Sequence, residues 1–276
     1  MRRHIIGLLS LSKAVFCLSA LAVCASAHAW TYDPMPVETT NSVQIRFGAQ
    51  FTKKWHNGIH LSFDEDLRSD VYNSLRGAAF RTSLTTLTFA YKPIPYLKLD
   101  AGYTLRFTNK GVSDPNEVLR HRVFFSVTGS YQFTYLKLSL RERALMEART
   151  DSVNPLEKNK INWQLRSKLS AVFYIPGKPV KPYVFCELVN TLNAPEYQQK
   201  YKNNDPTNPG HQFITRVRPQ VGVKWRLTRM SSLDFYYRFT YGYNRDINIA
   251  KSNGDIELTE KTLYQHAIGV AYNLDW

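Results

Sequence analysis

The sequence predicts an all-β fold: a transmembrane, antiparallel, up-and-down β-barrel of about twelve strands, with ten as the alternative. Three observations predict it. Stretches of alternating apolar and polar residues recur along most of the chain. The connections between them alternate short and long. The polar faces of the stretches are rich in arginine, and the apolar faces carry aromatic rings toward the strand ends.

The stretch LKLDAGYTLRF, 97–107, shows the pattern. Leu97, Leu99, Ala101, Tyr103, Leu105 and Phe107 share one face, and Lys98, Asp100, Gly102, Thr104 and Arg106 share the other. Period-2 alternation puts successive side chains on opposite faces of a strand. Nine further stretches follow the same rule, 43–51, 59–68, 86–92, 122–133, 135–144, 161–173, 215–227, 233–244 and 264–276, and a tenth, 182–188, alternates less clearly. Bilayer-spanning strands need about 9–11 residues, and most of these stretches reach that, whereas strands of soluble domains average about 5–6. Beyond the N-terminal region no run of 18 apolar residues exists, so a membrane crossing by helix is not expected there.

The first 29 residues read as a secretory signal. Arg2 and Arg3 precede the apolar IIGLLSLSKAVFCLSALAVC, and ASAHA ends in the small-x-small pattern that signal peptidase cuts. The domain plan is therefore a cleaved segment 1–29, an N-terminal segment 30–42 that forms a short strand or runs up the lumen, and a barrel over 43–276. Removing Arg2, Arg3 and Lys13 takes the formal charge from +14 to +11. Of three cysteines only Cys186 remains, so no disulfide is expected within the mature chain.

Short connections fall near 53–58, 92–96, 133–135, 174–181 and 228–232. Long polar ones fall near 69–80, 109–119, 148–160, 192–212 and 245–262. Outer-membrane barrels combine short periplasmic turns with long outer loops. Eleven stretches are odd, and single-chain bacterial barrels usually have an even number with both ends in the periplasm. A short strand within 30–42 would make twelve.

The competing fold is a large soluble barrel with an apolar interior. Aromatics near strand ends oppose it: Trp55, Tyr91, Phe107, Tyr131, Phe133, Trp163, Phe173, Trp225, Tyr241, Tyr243 and Trp276. Such rings favour the membrane–water boundary. The chain also stops at an aromatic. AIGVAYNLDW, ending in Trp276, resembles the terminal signature by which barrel-assembly machinery recognises its clients. That likeness implies the assembly machinery, the lipid bilayer and lipopolysaccharide as partners, and the bacterial outer membrane after Sec-type export as the location.

With the apolar faces outward, parity puts sixteen basic and seven acidic residues inside. Candidates for lining the lumen and binding anions are Arg46, Arg106, Arg122, Arg141, Arg143, Arg166, Lys168, Glu187, Arg216, Arg218 and Arg238. Rings of Arg and Lys favour anions, and guanidinium forks suit phosphate or carboxylate.

Several motifs, in order, resemble one family. They are WHNGIHLSFDEDLR, YKPIPYLKLDAGYTLRF, RHRVFFSV, LSLRER, NWQLRSKLS, KPYVFCEL and RVRPQVGVKWRL. The chain from about 43 to 276 is similar to the predicted outer-membrane barrels of the domain of unknown function numbered 2490, frequent in Bacteroidota. The resemblance implies a fold and a place but no reaction.

Three functional readings stand. One is a non-enzymatic, porin-like barrel whose basic lumen passes or binds small anions. A second is a barrel plugged by Arg–carboxylate pairs that acts through its loops as adhesin or scaffold. The third is a rim hydrolase. It would use His60, Asp64 and Asp66, which share one face of the second stretch, provided no arginine lies on those acids. No metal-ligand spacing and no Gly-rich phosphate loop is present, so neither a metal nor a cofactor is expected. Secretion and strand-confined charge argue against nucleic acid.

Overall fold

The computed structural model describes residues 37–71, 81–108, 118–150, 159–193, 214–249 and 256–276. They form eleven strands: β1 (Val37–Lys54), β2 (Ile59–Asp70), β3 (Thr82–Ile94), β4 (Leu97–Thr108), β5 (Val118–Gln132), β6 (Leu136–Arg149), β7 (Ile161–Phe173), β8 (Val180–Thr191), β9 (Arg216–Arg226), β10 (Ser231–Ile249) and β11 (Ile256–Asp275). Each strand pairs with its neighbours in chain order, and β1 and β11 close the barrel.

Every sequential pairing is antiparallel, but the seam is parallel, running from Val37 opposite Glu260 to Thr52 opposite Asp275. This resolves the parity problem. The closed barrel has eleven described strands rather than twelve, and residues 37–42 are the start of β1 rather than a strand of their own. Ser42 and Arg46 are both buried on the inner side, so the inward face of β1 carries on without a break. A parallel ladder satisfies the backbone groups of both strands as an antiparallel one does. The expected segment 1–29 and residues 30–36 lie outside the described residues.

The strands are longer than alternation alone indicated. The connection expected at 245–262 is largely strand, with Asp246 opposite Thr259 and Ile249 opposite Ile256. At 19 and 20 residues, β10 and β11 exceed what a bilayer needs. The loops expected at 109–119 and 192–212 fall mostly outside the described residues.

The distribution of side chains is inverted relative to a soluble protein. Large apolar groups such as Phe47, Leu87, Phe125 and Ile268 are exposed on the outer face, Ile268 by as much as 63%. Buried residues include Arg46, Asp100, Glu147 and Glu187. Trp55, Tyr91, Tyr96, Tyr131, Tyr135, Trp225 and Trp276 are exposed near the short turns, and Trp163 and Tyr264 toward the other end. This is the pattern of a membrane-spanning barrel with aromatic girdles. Among the described residues no helix is long and apolar enough to cross a membrane.

Polar groups on the outer face have local partners. Glu65 accepts hydrogen bonds from Ser83 Oγ at 2.5 Å and Thr85 Oγ1 at 2.6 Å, and Glu142 accepts one from Ser167 Oγ at 2.7 Å. His266 faces outward, its Nδ1 2.7 Å from Tyr237 Oη. His121 pairs outward with Tyr103 while Ser126 points inward, so these two do not meet.

Three inward aromatics lie over inward glycines directly across the ladder: Phe124 over Gly102, Tyr183 over Gly222 and Tyr236 over Gly269. A Cβ at any of these glycines would overlap the ring. None of the three has a positive φ, so close approach and not backbone conformation requires glycine there. The ring covers the bare backbone and fills the wall.

Substituting Gly269→Val should cost about 1–3 kcal/mol by overpacking. Gly129→Val, where nothing lies within 4 Å of the new Cβ, should cost far less. The midpoint of heat-induced band shift on a gel compares the two variants.

Candidate functional site

Because inward residues repeat every second position and neighbouring strands are in register, the cations stack in lateral rows. One row across β6–β9 is Arg141, Lys168, Glu187, Arg218. The next is Arg143, Arg166, Val189, Arg216. On this wall six cations surround one carboxylate.

The rows face a cavity of about 1360 Å³ that, among the described residues, is lined by fifteen basic and six acidic side chains. All eleven lumen candidates line it: Arg46, Arg106, Arg122, Arg141, Arg143, Arg166, Lys168, Glu187, Arg216, Arg218 and Arg238. Its lowest lining residues, Lys98, Thr128, Ser139 and Ser170, sit a few residues above the short turns.

Carboxylates hold part of the charge. Glu187 accepts from Arg141 Nη2 at 2.9 Å and Arg218 Nη1 at 3.2 Å. Glu147, 3% exposed, accepts from Arg120 Nη1 at 2.9 Å and from Arg122 Nε. Asp66 takes Arg68 at 2.6 Å, Asp70 takes Arg81 at 2.9 Å and Asp100 takes Lys98 at 2.6 Å.

Seven lining cations have no carboxylate partner among the described residues: Arg46, Arg106, Arg143, Arg166, Lys168, Arg216 and Arg238. Neutral groups receive most of them. Arg166 donates to Gln164 Oε1 at 2.8 and 3.2 Å, and Arg238 Nε donates to Gln220 Oε1 at 2.6 Å. Gln220 in turn donates to Tyr183 Oη, which donates to Asp234 Oδ1 at 2.9 Å. Arg143 donates to Ser126 Oγ at 2.8 Å and lies 3.9 Å from the Phe124 centroid. Lys168 Nζ lies 3.5 Å from the Phe185 centroid. Ring faces attract cations by their quadrupole, more strongly where water is scarce. Arg46, 3% exposed, donates through Nη2 to Gln44 at 2.9 Å and Gln265 at 3.3 Å, while its buried Nε and Nη1 have no protein acceptor.

The structure does not bring the rim candidates together. His60 lies at the short-turn end of β2, opposite Ala90 and Lys54, rather than at the outer rim. Asp66 is held by Arg68, and Asp64 lines the cavity above His60. Alternation gave the three one face, but a strand spreads such residues along its length. Among the described residues no cluster of His, Cys, Asp or Glu is placed to hold a metal ion. Phe124, Phe185 and Gln220 belong to the site and went unrecognised in the sequence. Parity with Arg122, Glu187 and Arg218 was the signal that places them inside.

Residues 39–250 match the family described as "Protein of unknown function (DUF2490)". The chain belongs to this family. No curated protein matches it. One similar solved structure is a NanC porin, 13% identical with a TM-score of 0.44, the alignment covering 82% of this chain and 97% of that one.

Glu187→Gln removes the carboxylate that holds Arg141 and Arg218. Breaking a buried pair from one side leaves stranded charge, so the variant should lose roughly 3 kcal/mol. Adding Arg218→Gln should recover part of the loss. Urea unfolding of the protein in micelles, followed by tryptophan fluorescence, measures both.

Proposed function

We propose that the mature chain, exported by the Sec route after loss of residues 1–29, forms a barrel in the outer membrane of a Gram-negative bacterium, in keeping with the Bacteroidota resemblance. There it binds and passes small anions. Trp276 would present the C-terminal strand to the assembly machinery, and the outer apolar belt would meet the bilayer and lipopolysaccharide.

The observation that carries this reading is the uncompensated charge of the cavity. Among the described residues nine more bases than acids line it, and seven of the bases have no carboxylate partner. A plug made of matched Arg–carboxylate pairs would leave no such surplus. Fixed positive charge along a narrow path raises the local anion concentration and repels cations. The acids needed by a hydrolase are engaged or separated, which leaves the rim-hydrolase reading without support.

Mature protein refolded into a planar bilayer under a potassium chloride gradient should show stepwise currents with a reversal potential toward that of chloride. Arg166→Gln with Arg218→Gln should move the reversal potential toward zero. Silence from protein shown to be folded and inserted, or a cation-preferring reversal, would contradict the proposal.

A further inference from the structure

The charge surplus is not spread evenly through the lumen. We infer that Arg106 on one wall and Arg166 and Arg216 on the other form a clamp for an oxyanion with two or more charges. The inference rests on the anion-binding reading above and names the class of anion.

The clamp is built around Glu147. Arg106 stands beside Arg120 in the β4–β5 ladder, and Arg120 and Arg122 both donate to Glu147. Arg166 and Arg216 flank Val189 in one row of the facing wall. The two walls meet electrostatically. Arg216 lies within reach of the charges of Glu147, Arg120 and Arg122, and Arg166 within reach of Arg122. Arg106 reaches the same triad from its own side. Four guanidinium groups, Arg106, Arg120, Arg122 and Arg216, thus address one carboxylate that is already bridged twice, and Arg166 stands within reach of Arg122 and of the other bridged carboxylate, Glu187.

These cations differ from those nearer the short turns. Arg143 and Lys168 are covered by Phe124 and Phe185. Among the described residues the side chains of Arg106 and Arg216 have no hydrogen bond, ion pair or ring contact, although both line the cavity; Arg106 Nε is buried without an acceptor, and Arg216 is exposed. Arg166 has only the neutral Gln164. Buried donors are normally satisfied, and an orphan calls for a partner. Chloride is a single charge without directional lone-pair pairs, and it leaves most of the surplus unmet. A phosphate or polycarboxylate offers several oxygens to several forks at once, each bond strengthened by charge on both sides.

Pyrophosphate, added to the refolded protein while chloride current is recorded, provides the test, with acetate as the singly charged comparison. Pyrophosphate should block at a concentration roughly tenfold or more below that needed for acetate, since each charge-assisted contact is strong. Arg106→Gln and Arg216→Gln should each erase most of that difference. Lys53→Gln, on the outer face, should leave it intact. Chloride-selective currents that pyrophosphate blocks no better than acetate would overturn the clamp and leave the anion pore standing. If the protein carries no current, the pore reading fails by itself, and calorimetric titration of pyrophosphate into folded protein in micelles decides the clamp. Binding that disappears in the Arg106→Gln, Arg216→Gln double variant supports it, and no binding to the unaltered protein overturns it.

Discussion

A strand that crosses a bilayer has no water to bond its peptide groups, and each unpaired group there costs several kcal/mol. Closure of the sheet on itself is therefore the constraint on which the rest of this molecule depends. Eleven strands in sequential antiparallel order bring the first and last side by side pointing the same way, so the seam must be parallel. The long hydrogen-bonded seam between β1 and β11 leaves no open edge in the wall. Once the wall is closed, every second residue of every strand is committed to one interior, and the cations that alternate with apolar residues have nowhere else to go.

That interior faces an electrostatic problem, which the structure meets in three ways. Glu147 and Glu187 each hold two arginines, which fixes long side chains in place without cancelling the surplus. Amides, as at Gln164 and Gln220, accept from guanidinium without adding charge. Phe124 and Phe185 offer ring faces, and Phe124 also covers the bare backbone of Gly102, so one side chain serves packing and charge together. Among the described residues, none of these devices reaches the side chains of Arg106 and Arg216, although both line the cavity.

The sequence made the wall legible because a strand's period is local. Alternation alone assigned Arg46, Arg141, Arg166 and Arg218 to the interior, and all four line the cavity. The seam was not legible, since the direction in which β1 meets β11 depends on residues more than two hundred positions apart. The extension of β10 and β11 was missed because NRDINI and IELTEK alternate between polar groups and isolated isoleucines or leucine, a weak signal. The outward glutamates were missed for a related reason. Glu65 and Glu142 are tolerated on the outer face by hydroxyls of the neighbouring strand, Ser83, Thr85 and Ser167, which no reading of one strand reveals. The grouping of His60 with Asp66 failed because face and height are separate coordinates, and alternation gives only the face.

The central claim is that Arg106, Arg166 and Arg216, which have no carboxylate partner among the described residues, hold anions. Crystals of the folded protein grown in bromide test it directly, because bromide is located by its anomalous scattering. The account predicts bromide inside the barrel beside Arg106, Arg166 and Arg216. A lumen empty of bromide, with those three side chains folded onto carboxylates, would contradict it.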